Sequence, residues 1–309
     1  MKDVAISIIN YNTAKYTIAC IDSIVAHTTA ALSFDIIVID NNSEPDDFAY
    51  LQSNIQLQDN ITLHRSPINR GFGGGHMESL PYVNASYFLC LNNDSIFLND
   101  CLVHLKEYLD KNPTVGLATA QNFDEAGNFS PSFHHYKTFW KLLLGKKLLE
   151  KINPIKFPKR KNQYTHPLKI TSPNGAFLFF RSSTFAEIGG FDTNIFLYSE
   201  EMDLAKKLEK IKTEAALVPQ AKFQHFQGKS SKASNAISKE AMLSELYVIK
   251  KHYCFLHYKA VQLYFIFTLP FKPRKWFLLP VILKGDALKH SLKQKQKVRF
   301  LKTTKKLHE

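Results

Sequence analysis

Apolar and polar positions change period repeatedly along the first 120 residues. Residues 4–9 and 34–39 are nearly unbroken apolar runs and predict buried strands. Thr13 stands where it can cap a helix running to about His27, and residues 46–53 predict a short helix. A brief strand at 61–64 follows, then a glycine-rich turn leading into residues 73–81, then a strand at 87–91. Residues 100–110 predict a helix capped by Asn99, and 115–120 a further strand. Strands alternating with helices predict an α/β fold with a mixed, mainly parallel sheet flanked by helices. Ligands in such folds bind beyond the carboxyl ends of the strands. Asp40 and Asp94 both follow strand ends, which puts them on one rim.

The second half is less regular. Residues 130–168 mix aromatics, lysines and prolines and read as an insertion or mobile loop. Strand character returns at 168–181, centred on 172–176, and residues 185–190 lead into Phe191-Asp192. Helix is predicted from about Glu200 to Lys210, strand at 215–218 and helix at 239–253. There are no internal repeats. At 309 residues and 45% hydrophobic content the chain can bury a substantial core. Its four cysteines are scattered without a C-x-x-C, so neither a zinc site nor a disulfide framework follows, and a reducing compartment is the simpler reading. The apolar start is too short for a signal peptide, and the longest later run, 260–271, is broken at Pro270 and Pro273, short of a membrane span.

Charge adds a division. Residues 250–309 carry 15 Lys and Arg against two acids, Asp286 and Glu309, which is the whole net charge of +13; residues 1–249 balance. A neutral body with a basic tail points to an anionic surface as the tail's partner and argues against a nucleic acid gripped by the body.

Several polar groups could carry chemistry. Leu91-Asn92-Asn93-Asp94 ends a strand: by default a turn, but also a place where one carboxylate can join a Mg²⁺ or Mn²⁺ ion whose other ligands are phosphate oxygens. Asp40 is either a strand-ending Asx turn or an acceptor for the imide N–H of a pyrimidine base on which Tyr11 stacks. Gly71, Gly73, Gly74 and Gly75, beside Arg70, allow backbone to approach a ligand closely; a flexible surface loop is the alternative. Glu200, Glu201 and Asp203 open a helix, where acids are favoured by the dipole, and one could serve as a general base. His225 is a structural histidine or a ligand to metal or pyrophosphate.

The ordered set of these stations resembles the family 2 glycosyltransferases, which have the GT-A fold, over about residues 4–230. The quoted segments are Asn10-Tyr11-Asn12, Asp40-Asn41-Asn42-Ser43, Asn69-Arg70-Gly71-Phe72-Gly73, Asn92-Asn93-Asp94, Gly189-Gly190-Phe191-Asp192, Glu200-Glu201-Met202-Asp203 and His225-Phe226-Gln227-Gly228-Lys229-Ser230. The rhamnosyltransferase-like branch is the closest in pattern. The resemblance implies a catalytic nucleotide-sugar domain over 1–235; residues 236–309, beyond its strong region, read from their own composition as a basic, aromatic-rich helical region. It places Asn92 and Asp94 at the D-x-D positions, with Asp94 and His225 on a divalent metal. It makes Glu201 the favoured base, with Glu200 the alternative, because the family pattern Glu-Asp-x-Asp reads Glu-Glu-x-Asp here. Asn10, Tyr11, Asn12, Asp40, Asn42, Asn69, Arg70, Gly71, Phe72, Gly73, Asn92, Asn174, Gly175 and Asp203 are the implied substrate shell. The implied reaction is inverting transfer from a UDP- or dTDP-sugar to a hydroxyl of a cell-surface or lipid-linked glycan, such as O-antigen, capsule or lipooligosaccharide. The expected location is cytoplasmic, peripheral on the inner membrane face, where the tail meets anionic lipid. The competing readings are a nucleic-acid-binding protein, a nucleotidyltransferase, which needs a basic glycine-rich loop after the first strand, and a relative made inactive by Glu201.

Overall fold

The computed structural model describes residues 1–136, 138–226, 234–285 and 287–299. The strands are β1 (Lys2–Asn10), β2 (Phe34–Asp40), β3 (Ile61–Arg65), β4 (Ala85–Asn92), β5 (Ser95–Phe97), β6 (Val115–Phe123), β7 (Phe129–Ser130), β8 (Phe133–His134), β9 (Leu168–Ile170), β10 (Ser172–Pro173), β11 (Phe177–Arg181) and β12 (Glu214–His225). The helices are α1 (Ala14–His27), α2 (Pro45–Asn54), α3 (Gly71–Glu78), α4 (Cys101–Lys111), α5 (Phe139–Leu144), α6 (Lys146–Ile152), α7 (Ser182–Glu187), α8 (Glu200–Lys210), α9 (Asn235–His252), α10 (Phe255–Thr268) and α11 (Leu279–Lys284).

The main sheet runs β3-β2-β1-β4-β11-β6-β12-β5. Its first four strands are parallel; β11 is antiparallel to both neighbours, β12 is parallel to β6, and β5 is antiparallel to β12. The apolar runs are continuous because both faces are covered. Successive side chains of a strand point to opposite faces. Val4, Ile6, Ile8, Leu89, Leu91, Phe177 and Phe179 therefore pack with Ile24 of α1, Leu51 of α2 and Leu105 of α4. Ala5, Ile37, Ile39, Phe88, Cys90, Leu178 and Phe180 pack with Phe185 of α7 and Leu204 and Leu208 of α8. The register aligns Asn10 with Asp40, Ile9 with Asn92, and His225 with Ser95, which brings the polar strand ends onto one rim.

Three local expectations change. The glycine-rich segment is not a turn but the opening of α3. Only Gly71 has positive φ, 75°; Gly73 and Gly75 serve close packing, since a Cβ would lie 2.9 Å from Phe191 and 3.1 Å from Ile9. Asp100, not Asn99, caps α4, accepting from the Val103 N–H at 3.2 Å. Asn99 instead donates to the Gln220 carbonyl and accepts from the Lys222 N–H, tying α4 to β12. The 130–168 region is partly ordered into β8, α5 and α6, and β8 pairs with β10.

The C-terminal helices pack back onto this body through α8 and α9. None of the described helices is long and apolar enough to cross a membrane. Residues 291–299 then return to the β2 end of the sheet. There the Asn42 amide donates to the Lys297 carbonyl at 2.8 Å, and Arg299 donates to the Ser43 carbonyl and pairs with Glu44.

Candidate active site

A cavity of about 470 Å³ opens at the carboxyl ends of β1 and β4. Tyr11, Asn69, Gly71, Phe72, Asn92, Asn174, Gly175, Glu200 and Glu201 all line it, so residues drawn from most of the predicted stations meet in one space.

The β1–β2 side is built from amides. Asp40 is fully buried; Asn10 donates to one of its oxygens at 2.9 Å, and the Ser43 N–H and Arg65, both at 3.2 Å, reach the other. Burial pushes its carboxyl above the usual range against these three partners. Asp40 is absent from the cavity lining and would meet a base only by exchanging a partner. Asn12 and Asn42 hold left-handed φ of 56° and 66°, which asparagine tolerates; Asn12 accepts from the Glu44 N–H. Asn41, which the sequence reading did not single out, lines the cavity and fixes the turn before α3. Its amide donates to Asn69 and to the Gly71 carbonyl, and its oxygen accepts from the Arg70 N–H. Arg70 turns outward to an ion pair with Glu78.

Gly71 holds this turn against the loop before α8: Phe72 N–H donates to the Phe196 carbonyl at 3.0 Å, and a Cβ on Gly71 would lie 2.0 Å from that oxygen. Gly189 has a similar φ of 70° but open space around it. Gly71→Ala is therefore expected to lower stability by more than the roughly 1–2 kcal/mol of a left-handed alanine, and Gly189→Ala by no more than that. Denaturant unfolding of the two variants checks the difference.

The β4 end carries the carboxylate–imidazole pair. Asp94 sits in the turn between β4 and β5, and the pairing of β5 with β12 delivers His225 to it. His225 Nε2 lies 3.1 Å from Asp94 Oδ1 and 3.3 Å from the Asn92 amide. Asp94 is 1% exposed, and apart from that imidazole neither of its oxygens has a partner among the described residues; His225 Nδ1 has none either. Buried carboxylate oxygens without donors suit a cation. No group of three His, Cys, Asp or Glu clusters among the described residues. The pair thus fits an ion whose remaining ligands come from a substrate and water, as Mg²⁺ and Mn²⁺ accept, and not a closed protein cage. Asn93, which also lines the cavity, donates to the hydroxyls of Thr13 and Thr17. Gly228 and Ser230 lie outside the described residues.

The acids come from the start of α8. Tyr198 and Ser199, both at φ 70°, bend the chain so that Glu200 and Glu201 reach the cavity. Two successive non-glycine residues in that region store strain. Glu200 is 3% exposed and its Oε1 has no partner among the described residues. Burial first, then the Glu201 charge, pushes its carboxyl well above the usual range and favours its neutral form. Glu201 lies against Gly175, where a Cβ would be 2.8 Å from Oε1. Gly175 adjoins Ala176, whose carbonyl accepts from the Asn92 N–H at 2.9 Å, so backbone links the two sides of the cavity.

Asp203 points elsewhere. It is buried with His252 at 2.7 Å, Lys251 at 2.6 Å and Lys207 at 3.0 Å, and Lys251 also reaches Asp192 at 2.7 Å. Asp203 thus clamps α9 onto α8. Burial raises its carboxyl, but His252, Lys251 and Lys207 outweigh that and hold it well below the usual range. A depressed carboxyl contributes stability above its unfolded pKa of about 3.9 and loses it as pH falls through the lower folded value. Asp203→Asn should therefore cost about 3–5 kcal/mol at neutral pH, and the gap to the parent should shrink below about pH 4. Urea unfolding at pH 7 and pH 3 measures both.

Ile237 of α9, together with Leu292 and Gln296, also lines the cavity. Nothing in the sequence announces them, because they reach the site only by the return of the chain. His76 of α3 lines the cavity as well.

A mixed, curled sheet with a cavity at its strand ends defines the GT-A glycosyltransferase architecture. The glycosyl transferase family 2 model matches residues 5–185, and the chain belongs to that family. Among solved structures it is similar to GalNAc-T7 with UDP, GalNAc and Mn²⁺ (TM-score 0.63, 14% identity, 94% of this chain and 57% of that one). It is also similar to S. aureus TarS 1–349 (TM-score 0.53, 14% identity, 91% of this chain and 76% of that one). At such identities the likeness establishes the fold, and the chain spans little more than half the length of the GalNAc-T7 chain. No curated protein sequence matches it significantly.

Proposed function

We propose that this chain is an inverting, metal-assisted glycosyltransferase acting on a UDP- or dTDP-sugar and a hydroxyl of a cell-envelope or lipid-linked glycan. The observation that carries the proposal is the shared cavity: Asn92 and Glu201 both line it, and Asp94 and His225, which are outside its lining, adjoin Asn92. Exposed Tyr11 offers a face for the base. Asp94 and His225 would hold the divalent ion, which when bound neutralises charge on the departing diphosphate. Glu200, favoured neutral, is a poor proton acceptor, so Glu201 takes the proton of the acceptor hydroxyl. That oxygen attacks the anomeric carbon from the face opposite the diphosphate, in one displacement that inverts the centre. The motif order suits the rhamnosyltransferase-like branch. A panel of UDP- and dTDP-sugars with Mg²⁺ or Mn²⁺ tests the proposal by melting temperature and released nucleoside diphosphate. Silence across every donor with either ion would overturn it.

A membrane-bound acceptor fits the surface. Phe255, Leu256, Phe267 and Phe271 of α10 and its exit are exposed, followed by Lys272, Arg274, Lys275 and exposed Trp276. Next to them, α5, which packs on α10, and α6, which follows α5, expose Trp140, Leu143 and Ile152 among Lys146, Lys147 and Lys151. Aromatic and aliphatic groups set among cations suit the headgroup zone of an anionic bilayer, as on the inner membrane face. The chain should sediment with phosphatidylglycerol vesicles and not with phosphatidylcholine vesicles, and Phe267→Glu with Phe271→Glu should release it.

A further inference from the structure

His76 is fully buried, yet it forms part of the cavity wall. The packing of α3 sets its position: the small residues before it let the helix approach Phe191 and Ile9. The ring lies between Phe191, stacked at 5.6 Å, and Phe72, edge-on at 4.7 Å. Its Nδ1 is 2.8 Å from the hydroxyl of Ser7 on β1, and its Nε2 has no partner among the described residues. Burial pushes its pKa down to about 3, so the ring is neutral and carries one proton.

Where that proton sits follows from Ser7. Its hydroxyl is fully buried and meets only His76 among the described residues. A hydroxyl brings one proton and needs one acceptor. The acceptor in reach is Nδ1: a Ser7 hydroxyl that donates to it puts the imidazole proton on Nε2, whereas the opposite tautomer leaves the hydroxyl proton unpaired. A buried N–H without an acceptor is destabilising, and a core built only for packing would hold a phenylalanine or leucine here at no such cost.

We infer that His76 reads the bound nucleotide sugar, its Nε2–H donating to an acceptor oxygen of the donor inside the cavity. The identity of the ligand rests on the glycosyltransferase reading; the donor character of Nε2 does not. Ser7 acts as a positioning residue that fixes the tautomer, in the way a second hydrogen bond sets which ring nitrogen carries the proton.

Two measurements test this. In ¹H–¹⁵N spectra of the ligand-free chain, His76 should be the Nε2–H tautomer and should not titrate between about pH 5 and 8, where an ordinary histidine does. An Nδ1–H tautomer or an ordinary titration would overturn the inference without any ligand. Calorimetry with UDP-glucose and dTDP-rhamnose in Mn²⁺ then compares parent, His76→Phe and His76→Gln. Phenylalanine keeps the ring packing and deletes the donor; glutamine restores a donor at similar reach. His76→Phe should bind the preferred donor about tenfold more weakly with an equal or higher melting temperature, and His76→Gln should recover part of the loss. In turnover the loss should fall on KM more than on kcat. If the parent binds a donor and His76→Phe binds it equally well, His76 is only a packing residue and the inference fails. If the parent binds neither sugar nor any other nucleotide sugar, the glycosyltransferase reading fails, and the ligand assigned to His76 fails with it.

Discussion

Asp94→Asn is expected to lower kcat by about 10²–10³-fold while leaving the fold intact. The substitution keeps the shape of the side chain and removes its charge, so a cation loses its one carboxylate and a departing diphosphate loses its counter-charge. Stability should move the other way. Asp94 is 1% exposed, and among the described residues its oxygens meet no group but the His225 ring. Removing a buried anion with so little compensation relieves a desolvation penalty, so the melting temperature should hold or rise. Steady-state kinetics at several Mn²⁺ concentrations, together with thermal unfolding, separates these effects. An active Asp94→Asn enzyme would refute the assignment of the carboxylate to an ion.

Glu201→Gln should cost about 10²–10⁴-fold in kcat, the range for loss of a positioned general base, with KM for the donor little changed. Glu200→Gln should cost far less, because its more buried carboxyl already favours the neutral form that an amide mimics. The pair of variants thus decides between two adjacent acids that sequence alone leaves open. Equal losses in both would show that the two carboxyls act as one coupled unit. The pH dependence of kcat should follow the parent's acid limb, which Glu201→Gln should abolish.

The sheet was legible because its signals are local and mutually consistent. Apolar runs at residues 4–9, 34–39 and 87–91 predict β1, β2 and β4 with boundaries off by two residues or fewer. Asp94 and Glu201 stood out because an acid at a strand end or in a first helical turn is visible within a few residues. What was missed depends on partners distant in the chain. Four glycines in eight residues argue against a helix by propensity, yet α3 forms because Phe191 and Ile9 need that close approach. The α9 partners of Asp203 lie 48 and 49 residues on, at Lys251 and His252, so its role in clamping α9 had no local signature. Asn41 was hidden for a different reason: in a polar quartet at a strand end, composition does not tell which member turns inward.

The contact between Asn42 and the Lys297 carbonyl joins positions 255 apart, and the segment that makes it also supplies Leu292 and Gln296 to the cavity wall. A growing polypeptide can form the whole β-sheet long before that segment has been translated. The binding chamber is then open along one side until residues 292–299 have been translated. Trimming the gene at a boundary chosen from the sheet alone would breach the chamber, so a minimal version must retain residues 292–299.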